Sequence, residues 1–198
     1  MLKSARQSQL KTLSRPHLGK VRIIGGQWRG RKLRVKNSPG LRPTTDRMRE
    51  TLFNWLAPVI QGARCLDCFA GSGALGLEAL SRYASIVILL EYERTVAQQL
   101  EKNLAWLKGN GEVSNINTLN WLAGNGTPFD VVFLDPPFGH GLLVGTVTLL
   151  EKQGWLSDEA WIYLESEESL QPQVPGNWRL HREKIAGHVV SRLYIRSR

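Results

Sequence analysis

The stretch "LDCFAGSGALG", residues 66 to 76, decides the fold. It follows a strand-like run and opens a segment of helical character, "GSGALGLEALSRY", residues 71 to 83. Its glycines, Gly71, Gly73 and Gly76, have the spacing that permits a tight turn and a close approach of a ligand to the backbone. An acid, Glu91, ends the next strand-like run, where a carboxylate can accept hydrogen bonds from ribose hydroxyls. The pattern predicts a nucleoside-containing ligand, with a ligand-free glycine turn as the alternative.

Strands and helices alternate around this stretch. Thr44 or Thr45 can cap a first helix, "DRMRETLFNWLA", in which Met48, Leu52, Trp55 and Leu56 share one face. Such alternation predicts a parallel sheet with helices on both faces, and two final strands add an antiparallel pair at its edge. The other predicted strands are "RCLDCFA", "SIVILLE", Val113–Ile116, "FDVVFLD" and "EAWIYLES"; the predicted helices between them are "GSGALGLEALSRY", "ERTVAQQLEKNLAWLK", a turn at 119–123 and "GLLVGTVTLLEKQ".

The charge of the chain is unevenly distributed. The 198 residues carry a net charge of +9, but residues 1–49 hold +13 and the remainder holds −4. A strongly basic N-terminal part followed by a mildly acidic remainder is typical of proteins that bind a polyanion, and nucleic acid is the first candidate. A solvated basic tail is the alternative. With 42% apolar residues and no window of about 18 apolar residues, we expect a globular, cytoplasmic protein without a membrane span.

Three regions are expected along the chain. Residues 1–19 lack the apolar core of a secretory signal; they weakly resemble a transit peptide, and we interpret them as a flexible basic arm. Residues 20–43 contain Val21–Ile24 and Lys32–Val35 on either side of a turn rich in Gly and Arg, which predicts a basic β-hairpin followed by a linker. Residues 44–198 are expected to form the α/β domain.

The two cysteines, Cys65 and Cys68, have C-x-x-C spacing. No second Cys or His pair follows in the sequence, so a zinc site is not expected. Residues three apart in a strand point to opposite faces, and we therefore interpret both cysteines as small core residues.

A second motif, "FDVVFLDPPFGHG", residues 129 to 141, ends a buried strand in an acid, two prolines and an aromatic ring. Because ligands bind beyond the carboxyl ends of parallel strands, Asp135 and the glycine loop are expected to share one cleft. Asp135 and the Pro136 carbonyl could accept hydrogen bonds from the two N–H groups of an exocyclic amine. The base that carries the amine must leave its stack to reach this position, and the Phe138 ring could then stack on it. The alternative is a helix-start turn in which Asp135 is an N-cap.

Two details favour S-adenosylmethionine over NAD as the ligand of the glycine loop. Asp67 lies near the end of the preceding strand, where a pyrophosphate would favour neutral or positive surroundings. Phe69 and Ala70 flank the loop in place of further phosphate donors. An acid at this position suits a sulfonium or ammonium cation better than two phosphates.

Together, "DCFAGSGALGLEALSR", Glu91, "DPPF" and "LRPTTDRMRETLFNWL" resemble the RsmD family, from about Val21 to the C-terminus. The resemblance implies a Rossmann-like class I methyltransferase with a mostly parallel seven-stranded sheet, which transfers a methyl group from S-adenosylmethionine to the N2 amine of one guanine in 16S rRNA of the small ribosomal subunit. The implied catalytic residues are Asp135, Pro136, Pro137 and Phe138; the cofactor-binding residues are Asp67, Phe69, Ala70, Gly71, Ser72, Gly73, Glu91, Tyr92, Asn117 and Thr118; the RNA-binding residues are Arg22, Arg29, Arg31, Lys32, Arg34, Arg42 and Arg47.

Other functions remain open on the sequence. A DNA or RNA enzyme that methylates adenine N6 or cytosine N4 would share the chemistry, but the DNA enzymes usually carry a sizeable recognition domain, for which this chain has no room. An NAD-dependent oxidoreductase and a binding module with an inactive cofactor fold are further alternatives. His140 stands where the family pattern leads us to expect a basic residue, and both an RNA contact and a solvated loop histidine fit it. We expect a monomer that acts on assembled or partly assembled small subunits.

Overall fold

The structure is a computed structural model, and it describes residues 18–36 and 45–197. Residues 1–17 and 37–44, which include Arg42 and Thr44, lie outside it, so the predictions for them stay predictions. Within the described ranges no helix is long and apolar enough to cross a bilayer. The strands are Leu18–Arg22 (β1), Lys32–Lys36 (β2), Arg64–Asp67 (β3), Ile86–Glu91 (β4), Gly111–Asn115 (β5), Phe129–Leu134 (β6), Leu156–Glu167 (β7), Trp178–Ala186 (β8) and Val189–Arg196 (β9).

Five α-helices lie between these strands. The first begins where the sequence predicts a cap, because the Thr45 side chain accepts a hydrogen bond from Met48 N at 3.2 Å. Of the face predicted on this helix, Met48, Leu52 and Leu56 are buried and Trp55 is partly buried against the core. The helices are Asp46–Trp55 (α1), Gly76–Ser81 (α2), Arg94–Leu107 (α3), Thr118–Leu122 (α4) and Leu142–Lys152 (α5), with a short 3-10 turn, Gly26–Trp28, inside the hairpin.

Seven strands form one sheet in the order β5-β4-β3-β6-β7-β9-β8. The first five strands are parallel to one another, whereas β9 runs antiparallel to both β7 and β8. β1 and β2 pair separately as an antiparallel hairpin. The predicted fold class is confirmed: a mostly parallel sheet with an antiparallel C-terminal pair and a small N-terminal hairpin.

The sheet buries a hydrophobic cluster on each face. One cluster contains Phe53 of α1 and Tyr163 of β7, and the other contains Leu143 and Val147 of α5. Cys65 belongs to the first cluster and Cys68 to the second, and both are fully buried. The interpretation of the cysteines as core residues on opposite faces is confirmed. Burial raises the pKa of both thiols, so neither carries thiolate character at neutral pH.

Several element boundaries differ from the predictions. The helix predicted over residues 71 to 83 begins only at Gly76, because Gly71 and Gly73 have φ values of +50° and +77°, outside the helical region. The strand predicted at Val21–Ile24 begins earlier, at Leu18, and ends at Arg22, ahead of the 3-10 turn that begins at Gly26. β5 begins at Gly111, before its first apolar residue, because its pairing with β4 starts at Val87.

Candidate active site and RNA interface

The glycine loop folds around the carboxyl ends of β3 and β4. Gly71 N donates to Glu91 Oε2 at 2.9 Å, and Ala70 N donates to Leu90 O at 2.9 Å. At Gly73 a Cβ atom would lie 2.6 Å from Leu100 Cδ2, and the positive φ already disfavours a side chain there. The loop therefore depends on glycine at this position to reach α3 and leave its backbone facing the sheet edge.

Asp67 lies beneath the loop and is 1% exposed. Its Oδ2 accepts a hydrogen bond from Gly76 N at 3.0 Å, whereas its Oδ1 has no hydrogen-bond partner among residues 18–36 and 45–197. Burial raises the pKa of this carboxyl to about 7, and the backbone N–H groups of Gly76 and Phe69 oppose that shift. A buried oxygen without a donor is costly, so the site suits a ligand that brings a positive charge or a donor.

Glu91 ends β4 at the rim of the same loop. Besides the bond from Gly71 N, its Oε1 accepts one from Glu93 N at 2.7 Å. Burial raises the pKa of the Glu91 carboxyl, and the two backbone donors partly offset this effect. A carboxylate can accept about four hydrogen bonds. Glu91 therefore keeps acceptor capacity for the hydroxyls of a ribose.

The residues predicted after the third parallel strand lie at this rim as well. Thr118 is buried, and its hydroxyl donates to Cys68 O at 2.5 Å, so it ties α4 to the strand before the loop. Asn117 caps α4 by accepting from Asn120 N at 3.2 Å. Tyr92 is 76% exposed beside Glu91. In the structure the side chains of Asn117 and Thr118 hold α4 in place through hydrogen bonds within the protein. Their contact with an adenine stays a prediction.

These features fit the cofactor that the sequence predicts. Gly71 is half-exposed at the sheet edge, Glu91 offers acceptors for a ribose, and the cationic end of S-adenosylmethionine would stabilise the ionised form of the buried Asp67 carboxyl. A dinucleotide fits less well, because its pyrophosphate would lie above a buried acid. Asp67, Ser72 and Gly73 are buried within the loop, and they shape it from below.

The second motif forms a corner directly beyond β6. Asp135 is half-buried, Pro136 is buried, and Phe138 is 39% exposed. The next helix, α5, begins at Leu142 with Gly141 in the N-cap position, so the alternative role of Asp135 as the helix cap is wrong. Because β3 and β6 are neighbouring parallel strands, the corner and the glycine loop lie at the same edge of the sheet, as predicted.

A small cleft of about 50 Å³ opens beside the corner. Pro136, Pro137 and Phe138 form one wall, and the end of β7 forms the other with Glu165 and Glu167. His140 is exposed in the same turn but does not line the cleft.

One face of the hairpin is cationic, and we call it the cationic ribbon: Lys20, Arg22, Lys32, Arg34 and Lys36. These residues are exposed, whereas Val21, Leu33 and Val35 between them are buried. Sequence reasoning missed Lys20 and Lys36, although the two-residue period of a strand identifies both. Lys20 pairs with Arg34 and Arg22 pairs with Lys32 across the hairpin. Like charges directly opposite each other destabilise a hairpin, which favours a function that needs them.

The other predicted RNA-binding residues have different surroundings. Arg29 and Arg47 are exposed. The Arg31 guanidinium lies 5.3 Å from the centre of the Trp106 ring, a cation–π contact with α3. Arg22 donates to Asp46 Oδ2 at 2.8 Å, so its charge is partly offset.

A buried ionic network, absent from the sequence predictions, fixes the hairpin to the sheet domain. Glu78 of α2 is fully buried and accepts from Ile24 N at 2.9 Å and Gly25 N at 2.8 Å. Arg82 Nε donates to the same carboxylate at 2.8 Å. Arg49, 2% exposed, lies 3.7 Å from Glu78 and donates to Arg22 O at 2.9 Å. Since the hairpin also contributes Ile23, Trp28 and Leu33 to the main core cluster, its position relative to the cleft is fixed.

This sheet order, with the glycine loop on one central strand and the Asp-Pro-Pro-Phe corner on its neighbour, places the protein among the class I methyltransferases. Residues 21–195 match the model of a protein family described as conserved hypothetical protein 95. The chain belongs to this family, the RsmD methyltransferases.

Individual relatives agree with this placement. The chain is 68% identical to ribosomal RNA small subunit methyltransferase D of Escherichia coli strain K12 over 180 residues, 90% of this chain and 91% of the relative. It superposes on the structure of the protein yhhF from Escherichia coli with a TM-score of 0.86 and 65% identity, covering 90% of this chain and 99% of that chain. The Thermus thermophilus 16S rRNA N2 G1207 methyltransferase RsmC, solved with AdoMet and guanosine, has a TM-score of 0.72 at 21% identity, over 91% of this chain and 50% of that chain, and shares the fold.

Proposed function

We propose that this protein transfers a methyl group from S-adenosylmethionine to the N2 amine of a specific guanine in 16S rRNA. The observation that carries the proposal is the position of Asp135. It lies at the carboxyl end of β6, at the same edge of the sheet as the glycine loop. It is not the N-cap of α5, and the Phe138 ring three residues later is partly exposed, as stacking on a base requires. The curated relative at 68% identity is named for small-subunit ribosomal RNA, which supports this choice of substrate.

The corner supplies acceptors and rigidity. An exocyclic amine is a weak nucleophile because its lone pair is delocalised into the ring. Asp135 and the Pro136 carbonyl accept hydrogen bonds from its two N–H groups and favour tetrahedral geometry, which frees that lone pair. The prolines hold both acceptors in place, so positioning and electrostatics carry most of the rate enhancement. Asp135 then takes the released proton, directly or through water.

The cofactor side of the cleft positions the donor. S-adenosylmethionine supplies an electrophilic methyl group on a positive sulfonium. Glu91 accepts from the ribose hydroxyls, the backbone of Gly71 and Gly73 lies along the cofactor, and the carboxylate of Asp67 favours its positive end. Phe69, Ala70, Ser72 and the rim residues Tyr92, Asn117 and Thr118 complete the binding site in this proposal.

The RNA interface in this proposal centres on the cationic ribbon. Arg29, Arg31, Arg42 and Arg47 extend it, and phosphate contacts from these side chains position the RNA without reading its sequence. The flipped guanine then reaches the corner. We further propose that the protein acts in the cytoplasm as a monomer, on 16S rRNA within an assembled or partly assembled small subunit.

The substitution Asp135→Ala tests the proposal. Methyl transfer to small subunits that lack the modification is expected to fall by at least about a hundredfold, because removal of one positioned charge-stabilising group typically costs this much. Binding of S-adenosylmethionine, measured by isothermal titration, should stay near the wild-type value. The matched control is Asp158→Ala, an exposed acid at the start of β7, which should keep wild-type activity. Full activity of Asp135→Ala would exclude Asp135 as the amine acceptor.

A further inference from the structure

A second carboxylate lies next to Asp135 across the sheet. β6 and β7 pair in parallel, and their register places Phe133 beside Tyr163 and Leu134 beside Leu164. Asp135 and Glu165 are the next residues along these two segments, so they are neighbours as well. Neighbouring strands lie about 4.8 Å apart. The function proposed above uses only the first of these two acids.

The Glu165 side chain is held in place by neighbouring polar groups. It is 6% exposed, and its Oε1 accepts a hydrogen bond from Tyr163 Oη at 2.5 Å. Tyr163 Oη lies 3.1 Å from Ser191 Oγ on the neighbouring strand β9. The Tyr163 hydroxyl offsets part of the cost of burying this carboxylate and fixes its orientation.

The hydroxyl of Tyr163 stays a donor to this carboxylate at neutral pH. Its pKa is raised well above the usual value, first by burial and then by the charge of Glu165, with a smaller contribution from Asp135. The contribution from Asp135 is consistent with the register, since both carboxylates lie near the same hydroxyl. Tyr163 therefore orients Glu165 as an acceptor beside Asp135.

Glu165 also lines the small cleft beside the Asp-Pro-Pro-Phe corner. Pro136 and Phe138, the residues proposed to hold the amine and stack on the ring, line the same cleft. In the proposed function the amine of the base lies at Asp135, so the next atom of its Watson–Crick edge would lie within reach of the neighbouring strand β7.

The chemistry of that edge distinguishes guanine from other purines. In guanine, the atom next to the N2 amine is N1, which carries a proton and is a donor. In 2-aminopurine the same amine is present, but N1 carries a lone pair and is an acceptor. An ionised carboxylate only accepts hydrogen bonds, so it attracts the guanine edge and repels the other.

We propose that Glu165 is a specificity-determining residue that accepts the N1–H of the target guanine while Asp135 and Pro136 accept the N2 amine. This inference rests on the proposed function, because it requires a guanine whose N2 amine lies at Asp135. Two adjacent acceptors on neighbouring strands then match two adjacent donor groups on one base edge. A buried site that is built to bond a donor discriminates strongly against a base that lacks it.

The test compares two substrates with two variants. Small subunits are reconstituted with 16S rRNA that carries guanine or 2-aminopurine at the methylated position, and kcat/KM is measured for each. The wild type should prefer guanine. In Glu165→Gln the amide can donate to N1 of 2-aminopurine, so the guanine to 2-aminopurine ratio should fall at least about tenfold, as for loss of one good base contact. Tyr163→Phe, which frees the carboxylate from its donor, should lower the ratio in the same direction.

The matched control is Glu159→Gln, the same change at an exposed position on β7, where the ratio should equal that of the wild type. Titration of S-adenosylmethionine and the unfolding temperature of each variant identify any general loss of structure. If the guanine to 2-aminopurine ratio is unchanged in both Glu165→Gln and Tyr163→Phe while guanine is still methylated, the role assigned to Glu165 is wrong and the proposed function stands. Failure of the wild type to methylate guanine-containing subunits would instead overturn the proposed function.

Discussion

Glu91 Oε2 accepts a hydrogen bond from Gly71 N at 2.9 Å, so the acid that ends β4 fixes the first glycine of the loop that follows β3. The two motifs of the cofactor site are therefore one structural unit. In the proposed function the same carboxylate accepts hydrogen bonds from the ribose, so cofactor binding and loop geometry would depend on a single side chain.

Replacement of Glu91 by Ala should weaken S-adenosylmethionine binding. Hydrogen bonds to a charged group contribute about 1.5 to 3 kcal/mol, so the Kd should rise roughly ten- to hundredfold. Isothermal titration measures this directly, and Glu101→Ala, at an exposed position on α3, is the control. Wild-type affinity in Glu91→Ala, or tight binding of NAD by the wild type, would contradict the cofactor assignment.

The buried acid Asp67 should make the stability of the protein depend on pH. Its pKa is about 7 in the folded state and about 3.9 in an unfolded chain, so the folded state holds a proton that the unfolded state releases between these values. The folded state is then progressively disfavoured as pH rises from about 4 to about 7, by an amount on the order of 4 kcal/mol.

The substitution Asp67→Asn removes this titration. The difference in the free energy of unfolding between Asp67→Asn and the wild type should therefore grow in favour of the variant from pH 4 to pH 7 and stay level above that range. Urea denaturation at a series of pH values measures it. A difference that is independent of pH would show that Asp67 titrates normally.

The cationic ribbon should bind RNA through its phosphates. Neutralising one phosphate contact changes the slope of log K against log salt concentration by about 0.7 to 0.9. Each of Lys20→Gln, Lys32→Gln and Lys36→Gln should therefore flatten the slope by about this amount in filter-binding titrations. Lys152→Gln, at the exposed end of α5, provides the control. Unchanged slopes in all three variants would remove the ribbon from the interface.

The ionic network at Glu78 should be essential for the position of the hairpin. Removing one partner of a buried ion pair costs about 3 to 5 kcal/mol, and Glu78→Gln also weakens the bonds to Ile24 N and Gly25 N. We expect this loss in urea denaturation, together with faster hydrogen exchange at those two amides. Glu101→Gln should change stability by less than about 0.5 kcal/mol. Slow exchange at Ile24 and Gly25 in Glu78→Gln would contradict the role of the network.

The sequence was most informative about the centre of the sheet. Gly71, Glu91 and Asp135 each follow an apolar run, and the carboxyl ends of neighbouring parallel strands necessarily meet at one edge. Their proximity follows from the alternation of strands and helices alone. The length of α2 was predicted wrongly, because the positive φ angles of Gly71 and Gly73 are set by the loop and leave no periodic signal in the sequence.

Contacts between distant segments were beyond prediction. Glu78 resembles any acid in an amphipathic helix, and its burial depends on a hairpin more than fifty residues earlier in the chain. Glu165 lies in the strand-like run "EAWIYLES", but its position beside Asp135 depends on the register between β6 and β7. Register is a property of the folded sheet, and nothing local to either strand specifies it.

Nucleoside analysis tests the central claim most directly. Small subunits that lack the modification are incubated with the protein and S-adenosylmethionine labelled in its methyl group, and the 16S rRNA is digested to nucleosides. We predict that the label appears as N2-methylguanosine with the wild type and is absent with Asp135→Ala. Label in a methylated adenosine or cytidine, or no transfer by the folded wild-type protein, would contradict the proposed function.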